Sequence, residues 1–233
     1  MSRSRLLVVA AVIVVILLGG VAWSIGLFSS DPEAANVDDL AEAVAESGEG
    51  GTGEAITTLD GTWNVQQLEG VFVGYRIDEI LSGIDFTAVG RTGDVTGTLT
   101  GAGSTVSAVS IEADLTTLES DNGARDGQLK TQALETNDFP TATFTSTAPI
   151  ELGAIPGEGE EVTTEATGDL TIHGVTRSVS IPITASQQSG SILVAGQLDV
   201  LLTDHGIDTP SAPIVAGVSE TAVMEFSLVF SQG

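Results

Sequence analysis

The feature that most limits how this chain can fold is an alternation of apolar and polar residues with a period of two. It is clearest near residue 165. Val162, Thr164, Ala166, Gly168, Leu170 and Ile172 fall on one face, and Glu161, Thr163, Glu165, Thr167, Asp169 and Thr171 fall on the other. Successive side chains of a strand point to opposite faces, so this stretch is a strand with one buried face and one wetted face, as in an antiparallel sheet. His173-Gly174-Val175 reads as a turn. Beyond it Val179, Ile181, Ile183 and Ala185 alternate with Ser178, Ser180, Pro182 and Thr184, which completes a hairpin. Val109, Ile111, Ala113 and Leu115 repeat the pattern. Further strands are expected over residues 62–67, 71–80, 91–100, 142–150, 191–203 and 220–230, with turn signals at 101–104 and 188–190.

One stretch departs from this period. Residues 121–136 carry Ala124, Leu129, Ala133 and Leu134 at roughly helical spacing, with Asp121 as the expected N-cap. Phe139-Pro140 closes it, because a residue before proline disfavours helix. Many strands and one short helix must dispose of their unpaired sheet edges. Closure into an antiparallel barrel does so. Eight strands leave an interior that side chains fill or that holds one small ligand. Residues 57–233 contain six Phe, one Tyr and one Trp, and many inward positions are Val, Ala, Gly or Thr. Small linings favour an open interior, the alternative being a filled barrel.

Three segments precede or form this domain. Arg3 and Arg5, within residues 1–5, stand before an apolar run over residues 6–28. About 20 apolar residues suffice to cross a bilayer as a helix. The arginines place residues 1–5 in the cytoplasm and the rest of the chain outside. The alternative is a signal peptide cleaved near Gly20-Val21-Ala22 and a secreted product. Residues 29–56 carry eight acidic side chains and no basic one, and read as an acidic flexible linker. Within it a short helix over Val37–Ser47 is allowed, capped by Asn36, with Leu40, Ala43 and Val44 on one face. Residues 57–233 are the folded domain.

Charge and composition exclude whole classes of function. The chain has 32 acidic and 7 basic residues, a net charge of −25, which repels nucleic-acid backbones. It has no cysteine, so disulfides, thiol catalysis and cysteine metal sites are excluded. His173 and His205 are the only histidines and lack metal-ligand spacing, so no metal site is expected. No serine stands in a nucleophile-elbow context and no phosphate-cradling glycine loop precedes a helix, so no catalytic residue and no cofactor is assigned.

The order of short motifs is itself informative. It runs Asp60-Gly-Thr-Trp63, Phe72-Val-Gly-Tyr-Arg-Ile-Asp-Glu79 and Val89-Gly-Arg-Thr-Gly-Asp-Val-Thr-Gly97. Then come Arg125-Asp126, Asp138-Phe-Pro-Thr-Ala-Thr-Phe144, Gly168-Asp-Leu-Thr-Ile-His-Gly-Val-Thr-Arg177 and Asp204-His-Gly-Ile207. This succession, spanning nearly all of residues 57–233, resembles the YceI-like family and in particular its actinobacterial branch. The resemblance implies an extended, lipocalin-like antiparallel barrel in a protein that is secreted, periplasmic or anchored. Together with the strand pattern and the apolar run, the expected fold is an eight-stranded all-β barrel with one short helix, behind a single membrane helix. The resemblance also implies a long apolar channel for an isoprenoid lipid or quinone, held as ligand rather than cofactor. The sequence departs from the family pattern at Val71 and Glu79, where many members carry Ser and His, and at His205, where an aromatic ring is common.

Strand parity nominates the lining of such an interior: Val73, Tyr75, Ile77, Val109, Ile111, Phe144, Leu170, Ile172, Ile181 and Ile183. The same residues would form a plain core in a filled barrel. The domain's cations are Arg76, Arg91, Arg125, Lys130 and Arg177. In so acidic a domain they are expected to pair with carboxylates. Arg91 and Arg177 are the candidate contacts to a ligand head group, because a guanidinium fork suits phosphate. The expected function is a carrier of an apolar ligand, with a filled-barrel interaction module as the alternative.

Overall fold

The structure, a computed structural model, describes residues 32–47, 53–81, 83–209 and 215–232. The membrane helix expected over residues 6–28 lies outside them, as do residues 1–5. Among the described residues no helix is long and apolar enough to cross a membrane.

Thirteen hydrogen-bonded segments form one antiparallel sheet. They are β1 (Gly61–Val65), β2 (Phe72–Leu81), β3 (Ile84–Thr92), β4 (Val95–Ala102), β5 (Thr105–Asp114), β6 (Glu119–Ser120) and β7 (Thr141–Ser146). After these come β8 (Ile150–Glu151), β9 (Val162–Ile172), β10 (Val175–Gln188), β11 (Ser191–Leu201), β12 (Val215–Val218) and β13 (Thr221–Gln232). Several are halves of one bent strand. β1 and β2 both pair with β13, while β4 and β3 oppose them on the other side. β5 and β6 oppose β4 and β3 in turn. β7 and β8 both pair with β5, and β12 and β13 both pair with β2. Joined in this way the segments make eight strands, each beside its neighbour in sequence, and β13 closes the ring on β1 and β2. An up-and-down barrel of this kind leaves no edge.

The strand expected over residues 91–100 is divided between β3 and β4. At the break the Thr92 hydroxyl accepts the Asp94 N–H at 3.1 Å, and Val95 N–H bonds back to Gly93 at 2.8 Å. Local turn bonds therefore outcompete ladder bonds at Gly93-Asp94. The helix after β6 also differs from expectation. It runs as α2 over Gly123–Gln128 and continues in a wider turn over Leu129–Ala133. In chain order it follows α1, the helix Val37–Ser47. The N-cap of α2 is Asn122, whose side-chain oxygen accepts the N–H groups of Ala124 and Arg125 at 3.0 and 3.3 Å. Asp121 instead binds the Arg125 guanidinium at 2.5 Å. A carboxylate beside a guanidinium gains more from that pair than from capping.

The acidic stretch read as a flexible linker is structured over α1. Asn36 caps it by accepting the Asp39 N–H at 2.8 Å. Val37, Leu40 and Val44, spaced three and four apart, are buried on one face, and the acidic residues point away. That face packs on β10, β11 and β13. The compact unit accordingly begins at Glu33, ahead of the boundary at residue 57 read from composition.

α1 covers the outside of the barrel at a place that needs covering. Along β11, Leu193 and Ala195 point outward and are nonetheless buried, as is Val229 on β13. Beside them Glu225 of β13 is fully buried. Its carboxylate accepts Arg76 Nε at 2.8 Å, Arg91 Nε and Nη2 at 3.0 and 2.8 Å, and the Ala35 N–H at 3.2 Å. Arg91 also donates to the Glu33 carbonyl and lies over the Phe72 ring at 3.8 Å. A buried carboxylate persists only when so fully paired.

This packing sets an expectation for Leu40→Ala. In a free tether the change would leave stability unaltered, but for a residue buried against the barrel it should cost about 2–5 kcal/mol. Urea unfolding of the two proteins gives the difference.

Candidate functional site

The inward faces of the strands converge on an apolar cavity of about 110 Å3. It is lined by residues of β2, β4, β5, β7, β8, β9, β10, β11 and β13, together with Leu59 and Leu152, and every one except Thr143 is apolar. No charged group borders it.

Glycines in the wall explain how a barrel containing several large side chains keeps free space. Gly97, Gly168 and Gly196 each lie under a bulky neighbour from the adjacent strand. A Cβ at Gly97 would stand 2.6 Å from Ile111 Cδ1, one at Gly168 2.5 Å from Phe144 Cζ, and one at Gly196 2.6 Å from Phe226 Cζ. The bulky side chains thus lie flat against the wall, over positions with no side chain of their own, instead of crossing the interior.

Of the ten lining positions nominated by parity, the structure brings seven to the cavity: Val73, Val109, Ile111, Phe144, Leu170, Ile181 and Ile183. Tyr75, Ile77 and Ile172 are not among its lining residues. They belong to the end of the barrel formed by the last rungs of β2 and β9, where Ile77 opposes Ala88 and Ile172 opposes Val175 at the turn. Sequence reading missed Met224, Phe226, Leu228 and Phe230 of β13, and Ile192 and Val194 of β11. Parity marks the β13 residues, since Glu225 and Ser227 stand on the opposite face, but over residues 192–195 of β11 both faces are apolar because α1 buries the outer one. Alternation there does not say which face is inside.

Polar groups gather at that end. Glu79 and Phe86 share the inward face of β2 and β3, and α2 brings Arg125 to them. Arg125 lies 3.6 Å from Glu79, 2.5 Å from Asp121 and 5.2 Å from the centre of the Phe86 ring. Burial raises the Glu79 carboxyl above the usual carboxylate range, outweighing the attraction of Arg125, and Asp121 pushes the same way. Burial likewise lifts the Tyr75 hydroxyl above its ordinary value, against the pull of Arg125. Asp126 accepts the Ser120 N–H at 3.0 Å and the Ser120 hydroxyl at 2.6 Å.

The two histidines brace the same end. His173 adopts a left-handed conformation in the β9–β10 turn and meets Glu135 at 3.0 Å, the His205 carbonyl at 3.2 Å and the Phe139 ring edge-on at 4.4 Å. His205 is buried and bonds the Val175 carbonyl at 3.1 Å. Among the described residues no group of three or more His, Asp or Glu is placed to hold a metal ion. Of the two arginines nominated for a head group, Arg91 lies on the outer face, committed to Glu225. Arg177 is exposed, and opposes Leu170 across the ladder on the face that Ile181 and Ile183 also share.

An eight-stranded closed meander around an apolar, charge-free interior belongs to the up-and-down barrels, the class whose interior is either packed or occupied by one small ligand. The YceI-like domain family matches residues 63–230, and the chain belongs to that family. No curated protein matches it. Solved structures similar in fold include a polyisoprenoid-binding domain from Saccharophagus degradans implicated in plant cell wall breakdown. That match has a TM-score of 0.57 at 15% identity and covers 73% of this chain and 98% of the other. BcnA of Burkholderia cenocepacia matches with a TM-score of 0.50 at 19% identity, over 66% of this chain and 95% of the other. The YCEI protein of Campylobacter jejuni matches with a TM-score of 0.50 at 16% identity, over 62% and 85%.

Two outcomes follow from this geometry. Gly168→Ala should cost about 1–3 kcal/mol in urea unfolding, because the new methyl meets both Phe144 and the Thr145 carbonyl. Glu79 has a folded-state value above its unfolded one, so its stabilising contribution is present at low pH and lost as pH rises through the folded value. Wild type should therefore gain stability relative to Glu79→Gln as pH is lowered from neutral. A difference that does not change with pH would contradict this account of Glu79.

Proposed function

We propose that this chain is an extracytoplasmic binding protein that carries an isoprenoid or another long-chain apolar lipid inside its barrel. The observation that carries the reading is the charge-free cavity, to which nearly every strand of the ring contributes apolar side chains. Removing a hydrocarbon chain from water supplies about 25 cal/mol per Å2, so such an interior binds by burial alone and needs no catalytic group. The polyisoprenoid-binding relative from Saccharophagus degradans supports the same class of ligand. The apolar run at residues 6–28 supports a single-pass anchor with the barrel outside the cell, or a secreted barrel if that run is cleaved.

The size of the cavity constrains how binding works. About 110 Å3 is less than the ~150 Å3 that accommodates benzene in an engineered apolar cavity, and well below the ~300 Å3 at the lower end of ligand pockets. A long chain therefore enters only if lining side chains move. Met224, unbranched and adaptable, and Phe226, lying flat over Gly196, are the residues placed to yield. The same small volume favours a second reading, a filled barrel that serves as an interaction module.

Native mass spectrometry of the full-length chain purified from its own host separates the two. The carrier reading expects a bound mass that organic solvent releases as an isoprenoid. An unliganded mass that stays unchanged after incubation with isoprenoid quinones and polyprenyl phosphates would overturn it and leave the filled barrel.

A further inference from the structure

Among the described residues, one buried side-chain polar atom has no hydrogen-bond partner, the hydroxyl of Tyr75. An unpaired buried hydroxyl is costly, and in a native protein it calls for an explanation. Its position supplies one. Tyr75 points inward from β2, two residues from Val73 and directly opposite Met224, and both of these line the cavity. Its ring lies on the wall over Gly90, where a Cβ would come within 2.4 Å of Cε1. Tyr75 is not itself a lining residue, but it stands beside two that are, toward the end where Arg125 of α2 meets Glu79.

The charges that reach Tyr75 are Arg125, Glu79, Asp121 and Asp126, three carboxylates against one guanidinium. That guanidinium is already engaged by Asp121 at 2.5 Å and Glu79 at 3.6 Å. An anionic head group placed here would meet a negative surplus, and the guanidinium that reaches Tyr75 is already committed. A neutral oxygen would meet a donor with nothing else to bond.

We propose that this end of the barrel selects ligands whose apolar chain ends in an uncharged oxygen acceptor, such as a carbonyl, ether or hydroxyl, which takes the hydrogen bond of Tyr75. The inference rests on the carrier reading and narrows it by head group. It runs against the phosphate contact that an exposed Arg177 would favour. The phenol is a standing donor, since burial holds its proton on well above neutral pH.

The test is a competition between two probes with one tail. The full-length chain is incubated with equimolar geranylgeraniol and geranylgeranyl phosphate, and occupancy is read by native mass spectrometry. The alcohol is expected to predominate. Tyr75→Phe is expected to weaken the alcohol about 5- to 10-fold, the worth of one hydrogen bond, and to leave the phosphate unchanged. Tyr75→Phe should also leave the thermal midpoint of the unliganded protein unchanged or raise it, because it deletes an unsatisfied group. Arg177→Gln should not alter the alcohol. Equal or greater occupancy by the phosphate, or indifference of the alcohol to Tyr75→Phe, overturns the head-group inference while the carrier reading stands. If neither probe binds, the carrier reading itself falls and takes this inference with it.

Discussion

The rest of the structure depends on the pairing that closes the ring. β13 bonds β11 along one side, and on the other it bonds first β2 and then β1. Without that seam the sheet would have two long edges and a face of Val, Ile, Leu and Phe open to water. With it, every strand has two neighbours and the apolar face turns in on itself. The seam joins residues over 130 positions apart, so its pairing entropy is supplied only once the meander is largely in place. Glu225, in the middle of β13, stands where β2, β3 and the chain before α1 meet. Its bonds to Arg76, Arg91 and Ala35 tie the seam to the helix that covers it.

Placement of charge divides the molecule into regions with different tasks. Two of the domain's arginines are drawn to the outer face by Glu225, and a third is held by Asp121 and Glu79 at the end under α2. The cavity between contains none. In so acidic a chain these three of the domain's five cations become structural fixtures, because carboxylates compete for them. The interior is thereby left without charge, and polar groups gather at the barrel end where Tyr75, Glu79 and Arg125 converge.

Part of this was legible in single strands. Residues 162–172 alternate cleanly because β9 has one wet face, and the observed strand is Val162–Ile172. The turn at His173-Gly174 was legible because both residues suit a left-handed backbone. β11 was not readable in the same way. Its residues 191–196 are buried on both faces, and two-sided burial erases the period. Ile77 and Ile172 have the right parity and still lie beyond the cavity, since alternation gives a side chain's face but not its height along the barrel. The tasks of Arg91 and Glu225 were invisible because their partners come from opposite ends of the chain.

By itself the sequence determined that the chain makes antiparallel strands with one apolar face, that its acidity turns away polyanions, and that Val37–Ser47 can be an amphipathic helix. Those follow from local period, charge and capping, which act between near neighbours. Only the tertiary structure decided that thirteen segments join into eight strands, that α1 lies against the barrel, and that the free interior is near 110 Å3. It alone also left the Tyr75 hydroxyl unpaired. These depend on ring closure and on which large side chain meets which glycine across a strand pair, and no window of sequence contains both partners.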